Sequence, residues 1–92
     1  MVKMTNKIVE YKDLIAFHPG QYVGELIEDY NMTQKEFAEK LGLFPKTISK
    51  LVKGEESIGN EIAQKLENLT NISMKTWLNL QNTYDVKMAK FL

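Results

Sequence analysis

Apolar residues recur along this chain at helical spacing. Val23, Leu26, Ile27 and Tyr30 fall at i, i+3, i+4 and i+7, which puts them on one face of a helix. Pro19 suits the first position of that helix, because its fixed φ is already helical and its missing N–H would find no partner there. Gly24 weakens the segment by about 1 kcal/mol relative to alanine, so helix one needs tertiary support. In the next segment Phe37, Ala38 and Leu41 share a face. Thr33 and Glu36 precede them at the spacing of a capping box, and Gly42 follows as a helix stop. Helix three is predicted from Pro45, with Ile48, Leu51 and Val52 facing inward and Gly54 ending it. Helix four runs from about Asn60 to Leu69, behind Gly59 as N-cap, with Ile62, Ala63, Leu66 and Leu69 inward. Ser73 caps helix five, whose stripe is Trp77, Leu78, Gln81, Tyr84 and Met88 and which reaches about Lys90.

The pattern therefore predicts an all-α chain of five helices with connections of only a few residues, which fold neighbouring helices back on each other. Strand signal is confined to Ile8–Tyr11. Residues 1–16 read as an N-terminal extension, extended or strand, and residues 17–92 as the helical domain. Ninety-two residues allow one small core and no separate substrate domain.

Helices two and three, joined at Gly42, have the lengths and the turn of a helix-turn-helix. Ala38 must be small because helix three crosses close to it. Ile48 and Leu51 lock helix three inward, leaving Lys46, Thr47 and Lys50 on its outer face and Lys53 at its end. Residues near the start of the second helix of such a pair reach base edges in the major groove.

Charge sharpens this reading. Twelve lysines balance twelve acids, a sum that by itself argues against nucleic acid. The distribution differs from the sum. Residues 44–54, FPKTISKLVKG, carry Lys46, Lys50 and Lys53 with no acid, between segments 19–43 and 55–69 that are each net negative. Phosphates are felt over a Debye length of about 8 Å, so the local stripe matters more than the total. A solvated helix face explains three lysines equally well on charge alone. No arginine is present, so the bidentate fork to guanine is absent.

The stretch MTQKEFAEKLGLFPKTISKLVKGEESIGNEIAQKLENL resembles the lambda-repressor-like (Cro/CI, XRE) helix-turn-helix family. FHPGQYVGELIEDY and ISMKTWLNLQNTYD resemble, more narrowly, the HigA antitoxins. The resemblance covers about Phe17 to Asp85. It implies a dimeric repressor that binds a palindromic operator in double-stranded DNA of its own promoter and neutralises a RelE-like ribonuclease toxin encoded beside it. It further implies that Gln34 contacts the DNA backbone, that Pro45, Lys46, Ser49 and Lys50 face outward on the recognition helix, and that Thr47 and Lys53 lie toward phosphates. Phe44 departs from the family's usual serine or threonine cap. It cannot cap through a side-chain oxygen, but an aromatic there can meet a thymine methyl. Pro45 departs from a commonly polar position.

Helix five carries more apolar surface than one small domain covers, since Leu80, Val86, Phe91 and Leu92 lie off its main stripe. Trp77, Leu78, Leu80, Gln81 and Tyr84 are therefore expected at a homodimer contact, although plain core packing also fits the stripe, Trp77 above all. Glu25, Glu28, Asp29, Glu36 and Glu39 form a solvated acidic face or a landing site for a basic toxin. His18, beside Pro19 and Gly20, is expected to fix the start of helix one. With no cysteine and one histidine, neither a thiolate nor a multi-histidine metal site is available, and no nucleophile–base–orienter set is evident. The expectation is a cytoplasmic non-enzyme without cofactor or membrane segment. The competing readings are a protein-interaction module with little specific DNA binding, and the DNA-binding part of a longer regulator.

Overall fold

The computed structural model describes residues 17–90, so the expectations for residues 1–16 and for Phe91 and Leu92 lie outside it. Five helices follow one another: α1 (Gly20–Asp29), α2 (Gln34–Leu41), α3 (Pro45–Val52), α4 (Asn60–Thr70) and α5 (Met74–Ala89). No strand occurs among the described residues. α2 packs on α3, α1 on α3, α4 on α2 and α5 on α4, so α3 is held from two sides while one face stays open.

Local chemistry sets the helix ends. Thr33 Oγ1 accepts the Glu36 N–H at 3.0 Å and Glu36 Oε1 accepts the Thr33 N–H at 2.8 Å, a complete capping box. Ser73 Oγ accepts the Thr76 N–H at 3.1 Å to start α5. Pro19 sits one residue outside α1, as its N-cap with helical angles, rather than as its first helical residue. Gly42 and Gly54 adopt φ of +78° and +80° and close α2 and α3. The Leu43 N–H returns to Ala38 O, and the Glu55 N–H to Lys50 O, which satisfies carbonyls that a helix end leaves open. Asn31 and Asn71 do the same left-handed work after α1 and α4, with φ of +59° and +63°. The apolar pattern gave no sign of either.

The core is one cluster: Val23 and Ile27 from α1, Phe37, Ala38 and Leu41 from α2, Ile48 and Leu51 from α3, Ile58, Ala63 and Leu66, and Trp77 from α5. Every helix contributes, and the buried helical residues lie on the faces that the periodicity marks; Tyr30 and Met88, expected on the same stripes, are exposed near the ends of their helices, and Ile58 enters from the loop before α4. Trp77 is 1% exposed. Its Nε1–H has no acceptor among the described residues, an unmet donor costing about 1–3 kcal/mol. Burying an indole contributes roughly 4–6 kcal/mol, so burial wins.

Candidate nucleic-acid interface

α3 begins without a side-chain cap. Phe44 is extended, with ψ of 142°, and its carbonyl accepts the Thr47 and Ile48 N–H groups at 2.9 and 3.2 Å. Pro45 at the first helical position removes one donor that would otherwise lack a partner. Ile48 and Leu51 are fully buried. Their burial fixes the helix's rotation and turns Pro45, Lys46, Lys50 and Lys53 to solvent, with Thr47 and Ser49 half-buried at the margins. Lys46, Lys50 and Lys53 lie four and then three residues apart and so line one edge of the helix. Gln34, the first residue of α2, is exposed as well. The candidate residues Gln34, Pro45, Lys46, Lys50 and Lys53 are thus all open to a ligand.

A three-way clamp seats α3. Gly20 lies so close to its end that an added Cβ would overlap the Leu51 carbonyl oxygen and lie 2.7 Å from the carbonyl carbon. Only a residue without a side chain lets α1 approach there. The Gly20 N–H donates to His18 Nδ1 at 2.9 Å, which requires a bare lone pair on that nitrogen. The His18 ring meets Tyr84 of α5 edge to face, centroids 4.8 Å apart, and lies beside Gly54 just past α3. Burial lowers the His18 pKa below 6.5, against smaller raising effects from the Glu56 backbone and the Asp85 charge. His18 thus fixes the start of α1, as expected, and also ties α1, α3 and α5 together.

Gln81 is a second support that sequence reasoning missed. Its Oε1 accepts the Ile58 N–H at 2.8 Å and its Nε2 donates to Asp85 Oδ1 at 3.0 Å. This pins the loop between α3 and α4 onto α5. A glutamine on an apolar stripe is a visible signal, because a buried amide needs partners. Of the residues expected at a dimer contact, Trp77 and Gln81 are occupied inside the chain. Leu78, Leu80 and Tyr84 are half-buried. Leu80 and Tyr84 line a shallow groove with Phe17 and Tyr22, and Leu80 continues into a neighbouring groove with Leu26 and Trp77. Glu25, Glu28, Asp29, Glu36 and Glu39 are all exposed.

Among the described residues no three His, Asp or Glu side chains converge on a metal-sized site, and no helix is long and apolar enough to cross a membrane. The arrangement offers lysine ammonium groups, hydroxyls and an apolar leading edge on a protruding helix, which is binding chemistry.

Comparison with known proteins agrees with this geometry. A helix-turn-helix family model matches residues 23–91. The uncharacterised HTH-type transcriptional regulator YddM of Escherichia coli K12 is 33% identical over 72 residues, covering 78% of this chain and 77% of that protein. An addiction module antidote protein of the HigA family from Coxiella burnetii superposes with a TM-score of 0.75 at 31% identity, over 80% of this chain and 82% of that one. The antitoxin HigA of Pseudomonas aeruginosa, solved with the higBA promoter, gives 0.78 at 24% identity, over 82% and 83%. At that identity the likeness is one of fold.

Proposed function

The chain belongs to the helix-turn-helix family, as an all-α lambda-repressor-like domain of XRE type whose structural neighbours are HigA-type antitoxins, and from that premise we propose that it is a sequence-specific repressor of its own operon and the antitoxin of a RelE-like ribonuclease. The family is one of DNA-binding regulators rather than enzymes, and the chain is read as a cytoplasmic protein acting without cofactor or catalysis.

One observation carries the reading. The outward edge of α3 holds Lys46, Lys50 and Lys53 with no acid, on the helix that such a fold offers to the major groove. Lys46, Ser49 and Lys50, with Pro45, face base edges. Thr47, Lys53 and Gln34 face phosphates. Residues 17–92 act as the binding domain, with 1–16 as its extension.

The chain works as a homodimer, placing two recognition helices about 34 Å apart on one face of a palindromic operator. Leu78, Leu80 and Tyr84 carry the contact while Trp77 and Gln81 hold their helix in place. The exposed acids of α1 and α2 suit a ribonuclease, a protein that binds an anionic substrate and so presents positive charge.

The test is titration of the purified chain against the duplex upstream of its own gene and against a scrambled duplex, over a salt series. Specific binding by a dimer, together with rescue of growth when the chain is co-expressed with the neighbouring ribonuclease, is the expected result. Equal, weak, salt-sensitive binding to both duplexes would instead assign the fold to holding a protein partner.

A further inference from the structure

Phe44 is 79% exposed, immediately before the first residue of α3. It is the one large hydrophobic residue of the α2–turn–α3 unit that is open to solvent among the described residues. The others, Phe17, Tyr22, Tyr30, Val86 and Met88, lie in α1 or flank it, or lie in α5. Phe44 takes no part in the core cluster or in the half-buried shell around it. Its neighbours Pro45 and Lys46 are exposed too. An exposed aromatic ring that belongs neither to the core cluster nor to its half-buried shell, with Pro45 and Lys46 as exposed chain neighbours, is free to meet a ligand. As the N-cap of the helix, it sits where a recognition helix first meets base edges.

What α3 lacks sharpens the point. PKTISKLV holds no arginine, asparagine, glutamine, aspartate or glutamate. These are the residues whose side chains pair with guanine, adenine and cytosine edges in the major groove. The helix retains lysine, which reaches guanine by a single point of charge, two hydroxyls, and the apolar pair Phe44–Pro45. The one apolar feature that distinguishes a base pair in the major groove is the thymine 5-methyl group.

We propose that Phe44 is a specificity-determining residue that reads a thymine methyl in each half of the operator. The inference rests on the repressor reading above and names what its recognition helix discriminates. Phe44 supplies shape and apolar contact, and the lysines supply charge.

The test uses the full chain and a duplex it selects from a random pool. Each thymine is replaced in turn, symmetrically in both half-sites, by deoxyuridine. That base keeps every hydrogen-bonding group and loses only the methyl. Binding is measured by fluorescence anisotropy for the wild type and for Phe44→Ala, which removes an exposed ring and leaves the core untouched. At one symmetric position the wild type should bind the uracil duplex about 15-fold more weakly. That is about fourfold per half-site, the equivalent of ~0.8 kcal/mol for one buried carbon at 1.4 kcal/mol per tenfold. Phe44→Ala should bind the two duplexes equally, while Lys50→Ala should keep the methyl effect. A wild type indifferent to uracil at every position overturns the proposal, as does a Phe44→Ala variant that keeps the full penalty. If the pool yields no enriched duplex, the repressor reading itself fails, and this inference falls with it.

Discussion

Two glycines four residues apart in α1 should respond to the same substitution with opposite signs. At Gly20 an added Cβ overlaps the Leu51 carbonyl oxygen and lies 2.7 Å from its carbon. The obstruction is backbone, so no side chain can rotate away. Restoring normal contact with that oxygen requires α1 and α3 to part by about 1.5–2 Å. Overpacking of this kind costs about 1–3 kcal/mol, and rigid backbone puts this case at the upper end. The helical preference of alanine returns at most about 1 kcal/mol. Gly20→Ala should therefore lose roughly 2 kcal/mol, a fall of about 8–16 °C in Tm for a domain of this size. At Gly24 the added Cβ would meet only Val52 Cγ1, at 3.4 Å, an ordinary contact. Gly24→Ala should therefore gain about 0.5–1 kcal/mol. Both variants are read by urea denaturation followed by circular dichroism at one fixed protein concentration, since association shifts apparent stability. Gly20→Ala should also lose specific DNA binding at temperatures where it remains folded, because the seat of α3 has moved. A Gly20→Ala variant within 0.5 kcal/mol of wild type would refute the close approach as the seat of the recognition helix. So would equal destabilisation by the two substitutions.

Three further outcomes follow from the site. His18 is held neutral, so the unfolded chain binds its proton more readily than the folded one. The stability it contributes is complete above pH 6.5 and falls as pH drops from there toward the lowered folded pKa. Urea midpoints between pH 8 and pH 5 should show that slope in wild type and lose it in His18→Asn, which keeps an acceptor for the Gly20 N–H; parallel curves would discount the clamp. Lys53→Ala should weaken binding to all sequences alike and reduce the slope of log K against log salt by about 1.8 for a dimer, near 0.9 per phosphate. Lys50→Ala should instead lose about 1–3 kcal/mol on the operator alone, and interchanged behaviour of the two variants would reverse their roles. Gln81→Leu should cost about 1–3 kcal/mol by stranding the buried Ile58 N–H, and a neutral result in thermal denaturation would remove Gln81 as a staple.

Most of the fold was written in local chemistry. The capping box at Thr33, Pro45 at a helix start, and Gly42 and Gly54 at left-handed stops each act within a few residues, so the sequence alone locates them. The open edge of α3 was legible too, because burying Ile48 and Leu51 leaves Lys46, Lys50 and Lys53 no other direction. What escaped depends on partners distant in the chain. Gln81 fits a helical stripe whether it faces a second protomer or the loop at Ile58, and periodicity cannot separate the two. Trp77 posed the same ambiguity, and its burial against the cluster resolves its placement. The closeness of His18, Gly20 and Tyr84 joins residues more than 60 positions apart, and only the packing of α1 against α3 and α5 brings it about. Asn31 and Asn71 lack the signal of a glycine, although asparagine tolerates the same left-handed backbone.

Whether α3 reads a specific duplex on behalf of a two-fold dimer is decided by selecting bound duplexes from a random DNA pool at about physiological salt. The expected result is enrichment of an inverted repeat whose half-site centres lie about one helical turn apart, near 10 bp, and loss of that enrichment in Lys46→Ala/Lys50→Ala. A pool that emerges unenriched, with only weak binding that salt abolishes, would contradict it.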